Sequence, residues 1–230
     1  MAAIPVLLVR CLGFLCIAMG FFGLTGCASF DPSVVKTRTE GQAVRVLVGV
    51  PEELSLSWVG TTVFNNEAGL ERLERLNPRA LVGQSVMTLL VEAARYPAVV
   101  VEDSPETRST AMLNGVTASS GVLLLVYPCA APDQAFQTNQ FYRGVGLMQR
   151  SLLGLTPRTA MHAVICGEVI DAATRTSMAK TDAVSYQRID SPYLLSGPKI
   201  KEEHRSSVAE SMPNHIRAAT SQLLERLGLR

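Results

Sequence analysis

Catalysis near neutral pH usually needs a poised base, and this chain of 230 residues has three histidines, His162, His204 and His215. His162 lies four residues before Cys166 in a strand-like segment, which puts both on one face but about 13 Å apart, too far to share a zinc ion. His204 and His215 lie near the expected final helix and are expected to be solvated. There is no G-x-S-x-G elbow, H-E-x-x-H pair, P-loop or C-x-x-C pair. Ser119, Ser120 and Cys129 have no identifiable base partner. Among adjacent acids, Glu52-Glu53, Glu102-Asp103 and Glu202-Glu203, the second pair is the best placed. It ends an apolar strand, and ligands in open α/β sheets bind outside the carboxyl ends of strands. The residues therefore point to a protein that is not an enzyme and needs no metal or cofactor. The alternative is a hydrolase or small-ligand-binding enzyme with a pocket near Glu102-Asp103.

Cys27 offers a different chemistry. Met1 to Gly26 carries no acid and a single base, Arg10, followed by the apolar run Cys11 to Leu24. A charged start, an apolar stretch of roughly 7 to 15 residues and small residues at the cut are the parts of a secretory signal. The run is shorter than the roughly 20 residues a spanning helix needs. Leu24-Thr25-Gly26-Cys27 resembles the lipobox of bacterial lipoproteins, an aliphatic residue and two small ones before an obligatory cysteine. That resemblance implies a signal peptide over 1–26, diacylglyceryl transfer to the Cys27 sulfur, cleavage after Gly26, and acylation (palmitate-type) of the new amino terminus. Several acyl chains hold a protein to a membrane where one binds only marginally. Ala28 rather than Asp after the cysteine implies the periplasmic face of the outer membrane.

Cys27 to Arg230 leaves 204 residues, enough for one domain with a sizeable core. Without Arg10, 20 basic and 20 acidic residues remain, so no charge excess argues for nucleic acid. Cys129 and Cys166 are then the only other cysteines, in an oxidising compartment. They are either a disulfide or two buried thiols acting as small apolar residues.

The elements that must position these groups follow from periodicity. Residues 28–42 are polar and aperiodic and read, with Cys27, as a lipidated tether reaching roughly 20 Å. The folded domain is expected over 43–230. Ala43–Val50 and Leu54–Phe64 are strands, and the Pro51-Glu52-Glu53 turn suggests that they form an antiparallel hairpin. Asn77-Pro78 starts a helix whose apolar residues Leu81, Val82, Val86, Leu89, Leu90 and Ala93 recur every three or four positions. Ala98–Asp103 is a short strand, a helix follows Pro105 to Asn114-Gly115, and Gly121–Cys129 is so continuously apolar that it belongs at the centre of a sheet. Two long extended segments from Thr159 and Ser177 form an antiparallel hairpin about a turn at Asp171–Thr176. The segment 131–157 between them and the central strand is a hairpin or a loop. The last helix carries an Ile216, Ala219, Leu223, Leu227 stripe, a capping box at Ser207 and Glu210, and Pro213 as a kink or a break. The fold class is α/β: a single domain with a mixed sheet, a central buried strand, packed helices and a long antiparallel hairpin.

With a lipidated cysteine, the central strand Gly121–Tyr127 and the Asp171-to-Thr174 spacing of a D-x-x-T hairpin turn, the chain resembles three groups of envelope lipoproteins. These are the curli-pore type, the activators of penicillin-binding proteins, and the amino-terminal domain of the Tol propeller protein. Arg175 stands where those families commonly have glycine. The resemblance implies a non-catalytic accessory or assembly factor of an envelope complex, anchored by lipid on Cys27, with an unidentified envelope protein as partner. Phe141, Tyr142 and Arg143, beside Gly144 and Gly146, combine residue types enriched at interface anchors with backbone freedom and are the expected partner-binding residues. The competing reading folds the two aromatics back onto the core.

Overall fold

Val35 and Thr39, both buried on an early helix, are the first side chains among the described residues to join the core. The structure, a computed structural model, describes residues 30–61, 66–117, 120–151, 156–189 and 194–230. Cys27 and its neighbours lie outside the described residues, as does Ser119. Pro32–Arg230 forms one compact unit. Its first helix, α1, is Pro32–Thr39, with Val35 and Thr39 buried. This departs from the tether expected over residues 28–42. The helix lacks an apolar period because only two of its side chains pack inward, so its sequence reads as coil.

The order continues β1 (Val44–Val48), β2 (Leu54–Val59), β3 (Glu67–Glu71), α2 (Pro78–Glu92), β4 (Val99–Asp103), α3 (Ser109–Asn114) and β5 (Val122–Pro128). Then follow β6 (Ala130–Pro132), β7 (Phe141–Arg143), β8 (Val145–Arg150), β9 (Arg158–Asp171), β10 (Thr176–Ile189) and α4 (Arg205–Arg226). Eight strands make one mixed sheet, and β6 and β7 make a separate small hairpin. β5 is buried from Val122 to Tyr127 and lies between parallel β1 and antiparallel β9, the central place its unbroken apolarity requires.

β1 and β2 are not a hairpin. β1 pairs in parallel with β4 and β5, while β2 pairs with β3 and, in parallel, with β8. The two strands belong to different halves of the sheet, and the Pro51-Glu52-Glu53 segment carries the chain from one to the other.

The halves meet on β9. β5 takes the Ile165–Asp171 end of β9 and β8 takes the Arg158–Ala163 end, both along one edge, while β10 runs down the other. Between them, Val164 N–H donates to Gly144 C=O (2.8 Å). The sheet therefore forks at Val164. The β9–β10 hairpin closes at Asp171, whose Oδ1 accepts from Ala173 and Thr174 N–H (2.9 and 3.0 Å). The Thr174 N–H bond, with that of Ala173, holds this carboxyl below the usual range. Arg175 occupies a left-handed conformation (φ 58°), and its guanidinium donates to Leu113 and Val116 carbonyls near the end of α3.

α2 begins as expected, with Ala80 N–H donating to Asn77 Oδ1 (3.1 Å), and buries Val82, Val86, Leu89 and Leu90. α4 packs on α2 and on β9 and β10. It buries Val208, Met212, Ile216, Ala219, Leu223 and Leu224. Pro213 lies inside this helix without dividing it. No capping box forms: the helix starts at Arg205 after a turn over Glu202–His204, and Ser207 Oγ donates to His204 C=O (2.9 Å).

Candidate functional site

β7 is three residues long, and its alternation separates the aromatic cluster. Tyr142 is fully buried, whereas Phe141 is 50% exposed and Arg143 is exposed on the opposite face. Tyr142 is therefore folded back onto the core, as the competing reading has it. Its ring stacks on His162 of β9, centroids 4.7 Å apart at 16°, and packs with Ala131, Met148, Ala160 and Val164.

The Tyr142 hydroxyl donates to Asp133 Oδ1 (2.6 Å) and accepts from Ala135 N–H (2.9 Å). Asp133 also accepts from Phe136 N–H, Thr138 N–H and the Thr138 hydroxyl. Burial works to raise the Asp133 carboxyl, but these bonds outweigh it and bring it below the ordinary value. Burial and the same aspartate push the Tyr142 hydroxyl up. His162 is 1% exposed, and burial pushes it down to about 4. Its Nε2 faces Arg143 C=O (3.4 Å) and its Nδ1 has no partner among the described residues. The network pins the β6–β7 hairpin to β9. Nothing in Asp133's surroundings would have singled it out in the sequence, since its partners come from its own loop and from β7.

Cys129 and Cys166 are joined by a disulfide, Cα atoms 5.7 Å apart. It ties the chain just past β5 to β9 beside the fork, and Cys129 is thereby removed from the nucleophiles. Glu102 is held in an ion pair. Arg45 Nε and Nη2 grip its two oxygens at 2.9 and 2.8 Å across β1 and β4, and these hydrogen bonds lower its carboxyl, opposite to what a general acid needs. Asp103 beside it is exposed at the sheet edge. His215 is half-buried with Nδ1 3.2 Å from Ser185 Oγ, and burial lowers it. No group of three metal-ligating side chains occurs among the described residues.

A cleft of about 400 Å³ opens where the two halves of the sheet diverge. β5 and its continuation supply Pro128, Cys129 and Ala130; the β1–β2 connection supplies Pro51 and Glu53; β3 supplies Leu70; β7 and β8 supply Arg143 and Val145. Its lining is mainly apolar, and Leu70 is 68% exposed. Glu53 is paired with Arg72 (3.3 Å), whereas the Arg143 guanidinium has no partner among the described residues. The cleft is assembled from segments far apart in the chain, and of the residues expected to bind a partner only Arg143 lines it.

No known family model matches the chain, and no curated protein does. Among solved structures, the chain is similar to protein XCC0632 from Xanthomonas campestris, of the DUF330 family, with TM-score 0.46 and 9% identity over 81% of this chain and 83% of that one. It is also similar to the PelC dodecamer protein from Paraburkholderia phytofirmans (TM-score 0.29, 12% identity, 83% and 90% covered). A third is lipoprotein GNA1162 from Neisseria meningitidis (TM-score 0.26, 12% identity, 76% and 99% covered). These likenesses are distant.

Proposed function

We propose that this chain is a lipoprotein held by lipid on Cys27 to the periplasmic face of the outer membrane. There it acts without catalysis, as an accessory or assembly factor that docks another envelope component at the forked sheet. The observation that carries the docking surface is the division of β7: Tyr142 is locked inside, while Phe141 and Arg143 are turned out beside an apolar cleft. An exposed aromatic and an unpaired arginine next to apolar lining are what interface anchors are made of. The address rests on Leu24-Thr25-Gly26-Cys27, and a disulfide between the two remaining cysteines suits an oxidising compartment.

Three of the groups that could do chemistry are committed elsewhere. His162 is walled in beneath Tyr142, Cys129 is in a disulfide and Glu102 is clamped by Arg45. A photo-crosslinking residue at position 141 of the full-length protein, in native membranes, tests the surface against the same residue at exposed position 92 on α2. The expected result is a discrete adduct from 141 alone, weakened by Arg143→Glu. Equal labelling from both positions, or none from 141, places the docking surface elsewhere.

A further inference from the structure

The chemistry of the occupant is written around Ala130. In the β6–β7 hairpin, Gly144 N–H donates to Cys129 C=O (2.9 Å) and Asp133 N–H to Gln140 C=O (3.0 Å). Antiparallel pairs alternate between bonded and non-bonded, so Ala130, opposite Arg143, is a non-bonded position whose N–H and C=O point away from β7. The partner residue obeys the same alternation: Arg143 C=O points away from β6 and meets His162 Nε2. Ala130 is exposed and lines the cleft, and its N–H and C=O have no partner among the described residues, so a backbone donor and acceptor are offered at its wall.

We infer that the cleft takes the carboxyl-terminal residues of an apolar polypeptide, laid as an extended strand along Ala130 with its terminal carboxylate at Arg143. The inference rests on the docking surface proposed above and gives it an occupant. Three features converge on it. The free edge at Ala130 can pair with backbone, which neither a sugar nor an acyl chain offers. Pro51, Leu70, Pro128 and Val145 give apolar contact for alternate side chains of an extended segment. Arg143 supplies a cation without a partner among the described residues, whereas the acid of the lining, Glu53, is paired with Arg72. A chain terminus brings backbone, apolar side chains and one anion together, and arginine holds a carboxylate with two parallel bonds. A volume of about 400 Å³ is at the small end of ligand sites and suits a few side chains.

The test uses the full-length protein, purified in detergent and immobilised. The probe is a pool of short peptides whose carboxyl-terminal positions are randomised over Ala, Val, Leu, Ile and Phe, as free acids and as amides, with retention read by mass spectrometry. Free acids are expected to be retained about tenfold over amides, the size of one charge-assisted contact. Arg143→Gln should abolish that preference. Ala130→Pro removes the edge N–H while sparing the bonded pairs at Cys129 and Ala131, and should weaken both forms; if it lowers the melting midpoint, Arg143→Gln alone decides.

Equal retention of acids and amides, no retention of the pool, or an acid preference that survives Arg143→Gln would overturn the inference. So would decanoate held as strongly as the peptides, because the occupant would then be an acyl anion. If the peptides fail while position 141 still crosslinks, the docking surface stands without this occupant; if both fail, the surface falls too.

Discussion

His162 has an imidazole sealed under a tyrosine ring, and that position couples its protonation to folding. The groups facing it are the Tyr142 ring and the backbone of Arg143 and Ala160, which raises it, with Asp133 and His215 as the nearby charges that raise and lower it. Burial outweighs the rest and holds it near 4. The ordinary value is about 6.5. Above that pH neither folded nor unfolded chain binds the proton, and the full stability is present. As pH falls from 6.5 towards 4 the unfolded chain takes up a proton that the folded chain refuses, and stability drops by about 3 kcal/mol before levelling. Denaturant titrations across this range should show that decline, and His162→Phe, which keeps an aromatic ring under Tyr142, should flatten it. An unchanged slope in the variant would assign the acid sensitivity to other groups. At this scale the sequence was half legible. It offered two readings of the Phe141-Tyr142-Arg143 cluster, and strand alternation divides the residues between them, folding Tyr142 onto the core and leaving Phe141 and Arg143 exposed.

At the scale of elements, β2 and β8 pair so that position 146 has no room for a side chain. A Cβ on Gly146 would lie 1.7 Å from Ser55 C=O, which is backbone and cannot swing away. Gly146→Ala should therefore loosen the β2–β3 flank from the sheet and cost at least about 2 kcal/mol, read as a lower denaturation midpoint. A variant as stable as the parent would show that β2 can shift without loss. Elements with strong local signals were readable from the chain: β5 by unbroken apolarity, α2 by its Asn-Pro start and period, and β9–β10 by length and the Asp171 turn. β3 was not, because Glu67–Glu71 is largely exposed and carries little β propensity. The β1–β2 misreading has a similar root. Proximity in sequence suggests a hairpin, but each strand finds a parallel partner from a remote segment, and parallel pairing leaves no local mark.

For the whole molecule, the governing prediction concerns its attachment. The Cys27 thiol is the expected lipid acceptor, so Cys27→Ser should block lipid transfer and leave full-length precursor. Mass spectrometry of the wild-type amino terminus should find Cys27 first and acylated; an unmodified Cys27 or a start elsewhere would remove the membrane address. The fork at Val164 has a further consequence in time. β1, β4 and β5 leave one edge waiting, and β2, β3 and β8 leave another, and both edges are completed by the same later strand, Arg158–Asp171. A chain that emerges amino end first, as from a ribosome, thus holds two unfinished half-sheets until β9 appears. Closure of both is then a single late event, and the nascent chain stays open, and so threadable, for more than two-thirds of its length.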